Sequence, residues 1–261
     1  MVLNLYSHRR YILRNAWNDM RLRYAGTGMG VLWNIFIPVS QIVIYSLVFG
    51  QLMGRYMEGP AGQYNFVLYL CSGLLPWLAF SGTLIQGSNV FLANSRYLKN
   101  LPVPEEIFVA QTVMVNFFDL LVYVGLLVMF GLVFGQPLGW TVLLLPAVAI
   151  LLQILAFGID LLLAPLRVFF MDIGQILGIL TRLWMWTLPI VYVETILPEW
   201  VQRIFRWNPV YPYIAGFRDL FLYTQVPHWT LWAQMLAWAF GFTLLGFLVL
   251  QRLRYELRDA L

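Results

Sequence analysis

The chain has 261 residues, of which 61% are hydrophobic and 11% charged, with a formal net charge of +4 at pH 7 and a mean hydropathy of +0.75. Soluble domains carry about 25% charged residues, so this composition argues against a water-soluble globular protein. Lys99 is the only lysine and Cys71 the only cysteine. The arginines sit beside apolar runs rather than in a basic tract, which suits anionic headgroups better than nucleic acid, and a lone cysteine excludes an intrachain disulfide.

Residues 1–30 hold Arg9, Arg10, Arg14, Arg21 and Arg23. At about 100° per residue, Tyr6, Leu13, Trp17, Met20 and Tyr24 fall on one stripe flanked by those arginines. This is the pattern of an amphipathic helix lying in the membrane interface with its arginines reaching headgroups; the alternative is the same helix packed on protein. No long apolar core precedes a small-residue cleavage site, so no removable signal peptide is expected.

Beyond residue 30, charge disappears over long stretches: none occurs in 24–54, 59–95 or 220–251. A membrane-crossing helix needs about 20 apolar residues, and six such spans are expected, near 31–53, 64–86, 107–130, 141–164, 174–193 and 229–250. Continuous apolar runs lack the alternation of barrel strands, and open strands would leave unpaired backbone in lipid, so the fold class is an all-α integral membrane protein, read as a single transmembrane domain over 1–261. Six crossings put both termini on one side. That side collects eleven basic residues, with Arg96, Lys99, Arg167, Arg252, Arg254 and Arg258 joining the N-terminal five, against Arg55, Arg203, Arg206 and Arg218 opposite. The excess places both termini in the cytoplasm.

Two connections are more than tethers. The cytoplasmic stretch 88–106 is long enough for a short helix and ends in Pro102 and Pro104, a composition suited to docking. The opposite stretch 194–228 is too polar to span and rich in aromatics; it reads as two short helices broken near Asn208-Pro209, interfacial or re-entrant.

Several chemistries are missing. The lone lysine precedes Asn100 and cannot complete a phosphate-cradling Gly-Lys-Ser/Thr loop, so the chain is not itself a P-loop ATPase. His8 and His228 lack the neighbours of a zinc site or a catalytic triad. Asp119, Asp160 and Arg182 fall in expected spans, where charge is costly unless paired or wet. They mark either a proton- or sodium-coupled carrier or a structural pair such as Asp160 with Arg182. Tyr45, Phe49, Trp184, Trp186 and Tyr192 exceed what an interfacial belt needs and could stack on sugar rings lining a path.

A series of local patterns then coincides: Arg23-Tyr24, Gly28, Gly30, Leu32-Trp33 and Pro38; Leu98-Lys99 with Pro104; Phe169-Phe170-Met171-Asp172; Leu188-Pro189-Ile190-Val191-Tyr192; Leu197-Pro198-Glu199; Asn208-Pro209; and Arg218-Asp219-Leu220-Phe221. In this order and spacing the chain resembles the membrane subunit of ABC-2 type polysaccharide exporters, which carry O-antigen, capsule or teichoic acid. Met171 stands where members commonly have arginine, and Glu105 where a basic residue follows the proline.

The resemblance implies a homodimeric permease in the bacterial inner membrane, working with two copies of a separate P-loop ATPase that holds ATP and magnesium, and exporting a lipid-linked polysaccharide. No cofactor is expected on this chain. Asn94, Ser95, Arg96, Tyr97, Leu98 and Lys99 would form the coupling helix. Arg10, Arg14, Trp17 and Arg21 would mark a gate helix at the cytoplasmic entrance, and Tyr45, Phe49, Trp184, Trp186 and Tyr192 the channel. Trp200, Trp207, Arg218 and Asp219 would belong to the outer mouth. The alternative is a small-molecule exporter, ABC-driven or secondary, using the intramembrane carboxylates; a membrane-embedded glycosyl or acyl transferase lacks its His/Asp cluster.

Overall fold

The computed structural model describes residues 1–24, 28–53, 62–100 and 103–260. Arg55 and the side chains of Tyr24 and Arg258, which enter the charge count and the N-terminal stripe, lie outside the described residues. The described residues are helices joined by turns, with no strand, as the apolar runs require.

Helices α1 (Val2–Ser7) and α2 (Arg9–Tyr24) precede α3 (Trp33–Met53) and α4 (Gly62–Ser88). Two short helices, α5 (Val90–Ala93) and α6 (Ser95–Asn100), lead to α7 (Glu105–Val133). A 3-10 turn, Trp140–Leu144, runs into α8 (Leu145–Phe169), followed by α9 (Ile173–Trp186). Helices α10 (Glu199–Arg206) and α11 (Tyr211–Phe221) form the hairpin before the last helix, α12 (Trp229–Ala260).

Five helices are long and apolar enough to cross a bilayer: α3, α4, α7, α8 with its opening turn, and α12. Among them α4 is the central post, 78% of its most apolar window being buried against 17% for α3. Phe66, Leu70, Leu74, Phe80 and Leu84 of α4 pack with Leu152 and Leu155 of α8 and with Phe217 of α11 in the main core. A smaller core joins Phe91 and Leu98 to Phe108 and Val109 of α7, Leu161 of α8 and Leu257 of α12.

Helices α8 and α12 touch through small residues. A Cβ at Gly158 would run into the backbone nitrogen of Thr243, and one at Gly246 into the carbonyl oxygen of Gly158. Without a hydrophobic drive between helices in lipid, such close backbone approach supplies the dispersion contact that holds them.

The expected fifth span, 174–193, is helical only as far as Trp186. The 14 residues of α9 rise about 21 Å, short of the roughly 30 Å hydrocarbon core. Pro189 causes the break: it has no N–H to donate and its ring opposes the carbonyl four residues back, while Leu188 before it is pushed out of helical geometry. Residues 187–193 continue in turns and bends with Leu188, Ile190 and Val191 buried. Irregular backbone at membrane depth is tolerated only inside protein, which is where this segment sits.

The bundle has two distinct ends. Asn4 donates to Glu106 at 3.0 Å, and Arg254 pairs with Glu105 at 2.8 Å and Glu106 at 2.7 Å. Both terminal helices and the start of α7, with α5 and α6 before it, therefore gather at one end, the terminal end. The α10–α11 hairpin closes the other. There Thr141 donates to the Leu220 carbonyl at 2.7 Å and Gln136 to that of Leu222 at 2.8 Å, capping the open carbonyls of α11.

Candidate functional site

At the terminal end α2 lies on α7. Ile12 and Ala16 are buried there, whereas Leu13 and Trp17 of the expected stripe remain exposed, Trp17 meeting Phe118 edge-on at 6.2 Å between ring centroids. Arg10, Arg14 and Arg21 are exposed as well. The helix thus packs on α7 by one narrow face and leaves Leu13 and Trp17 of its apolar stripe facing outward.

Its last turn is fixed by a polar network that sequence reading did not find. Arg23 Nη1 donates to Asp119 Oδ2 at 2.7 Å and Nη2 to Gln86 Oε1 at 2.5 Å. Asn34 Nδ2 donates to the other Asp119 oxygen at 2.7 Å. Asp119 therefore ties α2, α3 and α7 together, and both its oxygens are occupied. No local pattern announces this, because Arg23 and Asp119 are 96 positions apart.

Beside the network lies a polar cavity of about 440 Å³ bordered by Arg23, Gln86, Asn89, Asn94 and Arg167. Arg167 Nη1 donates to Ser88 Oγ at 2.9 Å, and its guanidinium occupies the space that a Cβ at Gly174 would need. Asp160 is fully buried against Gly87, with no hydrogen-bond partner for either oxygen among the described residues. Arg182 is exposed. The Asp160–Arg182 pair open to the sequence is thus not formed: α8 turns Asp160 toward α4, whereas α9 turns Arg182 outward.

The expected coupling residues fall on α5, α6 and the break between them. Asn94 closes α5 by donating to the Val90 carbonyl at 2.9 Å. Leu98 is fully buried in the smaller core, whereas Tyr97 is 59% exposed, with Arg96 and Lys99 also exposed and Ser95 half-buried. One residue of the set anchors the helix and its neighbours present a surface.

The aromatic set divides. Tyr45, Phe49 and Trp186 form a run, with centroids 6.5 Å apart for Tyr45–Phe49 and 6.4 Å for Phe49–Trp186. Tyr192 joins it by donating its hydroxyl to the Trp186 carbonyl at 2.8 Å. Trp184 turns the other way, against Trp77 at 5.9 Å and Phe80 at 5.7 Å. Its indole N–H donates to Asn208 Oδ1 at 3.0 Å.

Asn208 organises the hairpin end. Besides accepting from Trp184, its Oδ1 accepts the Val210 N–H at 3.0 Å and its Nδ2 donates to Thr187 Oγ1 at 2.9 Å. The Asn-Pro dipeptide signalled a break in the chain; its side chain also staples the hairpin to the end of α9. Arg218, 6% exposed, lies over the Tyr69 ring at 3.6 Å and donates to the Pro189 carbonyl. Tyr69 donates to that carbonyl at 3.1 Å and to the Tyr192 carbonyl at 3.2 Å. The backbone freed by the break in α9 is therefore satisfied by side chains.

Glu194 accepts from Arg206 at 3.1 Å and from Tyr211 at 2.8 Å. The Glu194 hydrogen bond holds Arg206 above its ordinary value, and burial followed by Glu194 raises Tyr211. Trp200 and Trp207 are 65% and 79% exposed on the hairpin, and Asp219 is half-buried, its carboxyl pushed up by burial against the opposing Arg218 guanidinium.

Comparison with known proteins matches this architecture. The chain is 26% identical to an O-antigen export system permease protein of Klebsiella pneumoniae over 93% of its own length and 92% of that protein. It is 24% identical to a protein of the same description from Myxococcus xanthus, covering 87% and 86% of the two chains. A polysialic acid transport protein of Escherichia coli is 26% identical over 74% of this chain and 73% of its own. The family described as ABC-2 type transporter matches residues 10–222, most of the chain from α2 through α11, and the protein is therefore a multi-pass membrane protein belonging to the ABC-2 type transporter family.

Proposed function

We propose that this protein is the permease subunit of an ATP-driven exporter that moves a lipid-linked polysaccharide, O-antigen first among the candidates and capsule or teichoic acid after it, across the bacterial inner membrane. The observation that carries this reading is near full-length similarity to permeases of O-antigen export, supported by a terminal end that presents a short anchored helix, α6. ATP and magnesium belong to a separate P-loop ATPase, two copies of which bind a homodimer of this chain. Binding of ATP draws the two ATPases together and moves α6, with Tyr97 as the contact and Leu98 as the lever that passes motion into α7, α8 and α12. The lipid-linked cargo enters from the inner leaflet beside α2. Its glycan passes along a path to which Tyr45, Phe49, Trp186 and Tyr192 contribute aromatic faces, and leaves at the hairpin.

Deletion of the gene is expected to remove the surface polysaccharide of the host while its lipid-linked precursor accumulates inside. Purification of the tagged chain in mild detergent should bring down a P-loop ATPase in near-equimolar amount. Undiminished surface polysaccharide in the deletion strain, or a transport-competent chain without an ATPase, would overturn the proposal. The alternative, a secondary carrier, draws on one observation, the Asp160 carboxyl without a hydrogen-bond partner among the described residues. Export that persists with Asp160→Asn removes that support.

A further inference from the structure

The hairpin end encloses a second cavity, of about 340 Å³, between the start of α4, the 194–196 turn, α10 and α11. Ligand pockets begin at about 300 Å³, so this one has room for about one or two sugar rings. Its walls carry two arginines, Arg206 and Arg218, balanced by two carboxylates, Glu194 and Asp219. A balanced lining selects neither a free anion nor a cation. Three tyrosines complete it, Tyr69, Tyr211 and Tyr223, and such rings combine an apolar face with a polar handle.

The walls are of two kinds. One part is fixed: Glu194 is held by Arg206 and Tyr211, and Arg218 is held by Tyr69 and the Pro189 carbonyl. The other part has capacity to spare. Asp219 is half-buried on the same wall. Gln202 commits its amide N–H to the Leu197 carbonyl at 2.8 Å and keeps its oxygen as an acceptor. Tyr223 is half exposed, leaving part of its ring for a stacking partner. Acceptors and an accessible ring around a neutral cavity are the needs of a polyhydroxylated ring, whose hydroxyls donate and whose C–H faces stack.

We propose that this cavity is a carbohydrate subsite that takes one or two pyranose units of the glycan as it leaves the bundle, Tyr223 stacking on a ring face while Gln202 and Asp219 accept from its hydroxyls. The proposal rests on the export reading above and adds to it a binding site separate from the aromatic run on α3 and α9. By holding the emerging chain, the subsite hinders its return between strokes.

The test uses the full chain purified with its ATPase and titrated calorimetrically with the oligosaccharide that mild acid releases from the host's own surface polysaccharide. Saturable binding is expected, weakened about tenfold by Tyr223→Ala and by Gln202→Ala, the loss of one stack or one buried hydrogen bond. Tyr223→Phe, which keeps the ring, should bind as the parent does. Each variant should copurify with the ATPase; the Tyr223 variants should unfold at the parent's temperature, since Tyr223 lies at the surface, and Gln202→Ala, which gives up the bond to the Leu197 carbonyl, only slightly below it. No binding by the parent, or equal binding by both alanine variants, overturns the subsite. The deletion strain separates the two readings: surface polysaccharide lost on deletion with no oligosaccharide binding sinks the subsite alone, whereas surface polysaccharide retained sinks the export reading and the subsite together.

Discussion

At the terminal end, short helices inserted between spans are held by apolar side chains; at the hairpin end α11 is likewise buried in the main core, and a hydrogen-bond network is added to that burial. Phe91 and Leu98 plug α5 and α6 into a core shared with α7, α8 and α12, and the flanking charges, Glu105 and Glu106 with Arg254, tie helix ends together. Beyond its apolar contacts, the hairpin is joined to the end of α9 and the segment after it by Asn208 and Arg218, with Tyr69 of α4, through bonds to side-chain groups and to buried, freed backbone. The difference follows from what each end must repair. At the terminal end Val90–Ala93 and Ser95–Asn100 are helical, so burial of side chains suffices to anchor them. At the hairpin end Pro189 has broken a helix within the apolar layer, and every freed carbonyl needs a donor. An apolar plug slides as a unit and suits a moving part. A network of directional bonds fixes geometry and suits a site.

The contrast can be broken most directly at Arg218. Arg218→Ala leaves the buried Pro189 carbonyl with one donor fewer and the Tyr69 face bare, and should cost about 3 kcal/mol of stability, read as a fall in thermal midpoint in detergent. Arg218→Lys should recover part of it. A loss within experimental scatter would mean that the hairpin too is held chiefly by apolar packing. Leu98→Ala tests the other end. Deleting a fully buried leucine should cost about 2 kcal/mol or more, visible as faster proteolysis within 89–104 before the rest of the chain is cut.

Tyr97→Ala sharpens the same comparison, because the neighbouring residue should behave oppositely. An exposed side chain leaves stability within about 0.5 kcal/mol, yet on the proposed mechanism ATP-dependent export should fall at least about tenfold while the ATPase still copurifies. Normal export would remove Tyr97 from the contact.

The smallest effect is expected at Asp219. Burial raises its folded-state value above the ordinary 3.8, so the folded chain favours the protonated carboxyl. The stabilisation from this preference is fully present below that ordinary value and is lost as pH rises through the folded-state value. Asp219→Asn should therefore leave stability at pH 7 equal or slightly higher, with the advantage over the parent vanishing on acidification. A clear destabilisation at pH 7 would show that the carboxylate is paired.

The sequence by itself determined the membrane class, the all-α fold and the two short helices broken near Asn208-Pro209, and of the six spans it led one to expect, five are helices of spanning length. Each is a local property: an apolar run of about 20 residues, a period of 3.6, or a proline acts on its own neighbourhood. Order and spacing of short patterns also singled out the 94–99 segment expected to couple and the aromatic residues expected to line a path. Tertiary structure decided the rest. The span expected over 174–193 became a short helix with a buried irregular tail, because Arg218 and Tyr69 supply the hydrogen bonds that Pro189 forbids the backbone to make for itself. Trp184 was separated from Trp186 by the turn of α9, one ring going to the Trp77–Phe80 core and the other to Phe49. Asp119 found Arg23 and Asn34, while Asp160 found neither Arg182 nor any other partner among the described residues. Which buried charge is answered depends on how helices far apart in the chain rotate and pack, and in segments this apolar the hydrophobic pattern leaves that rotation open.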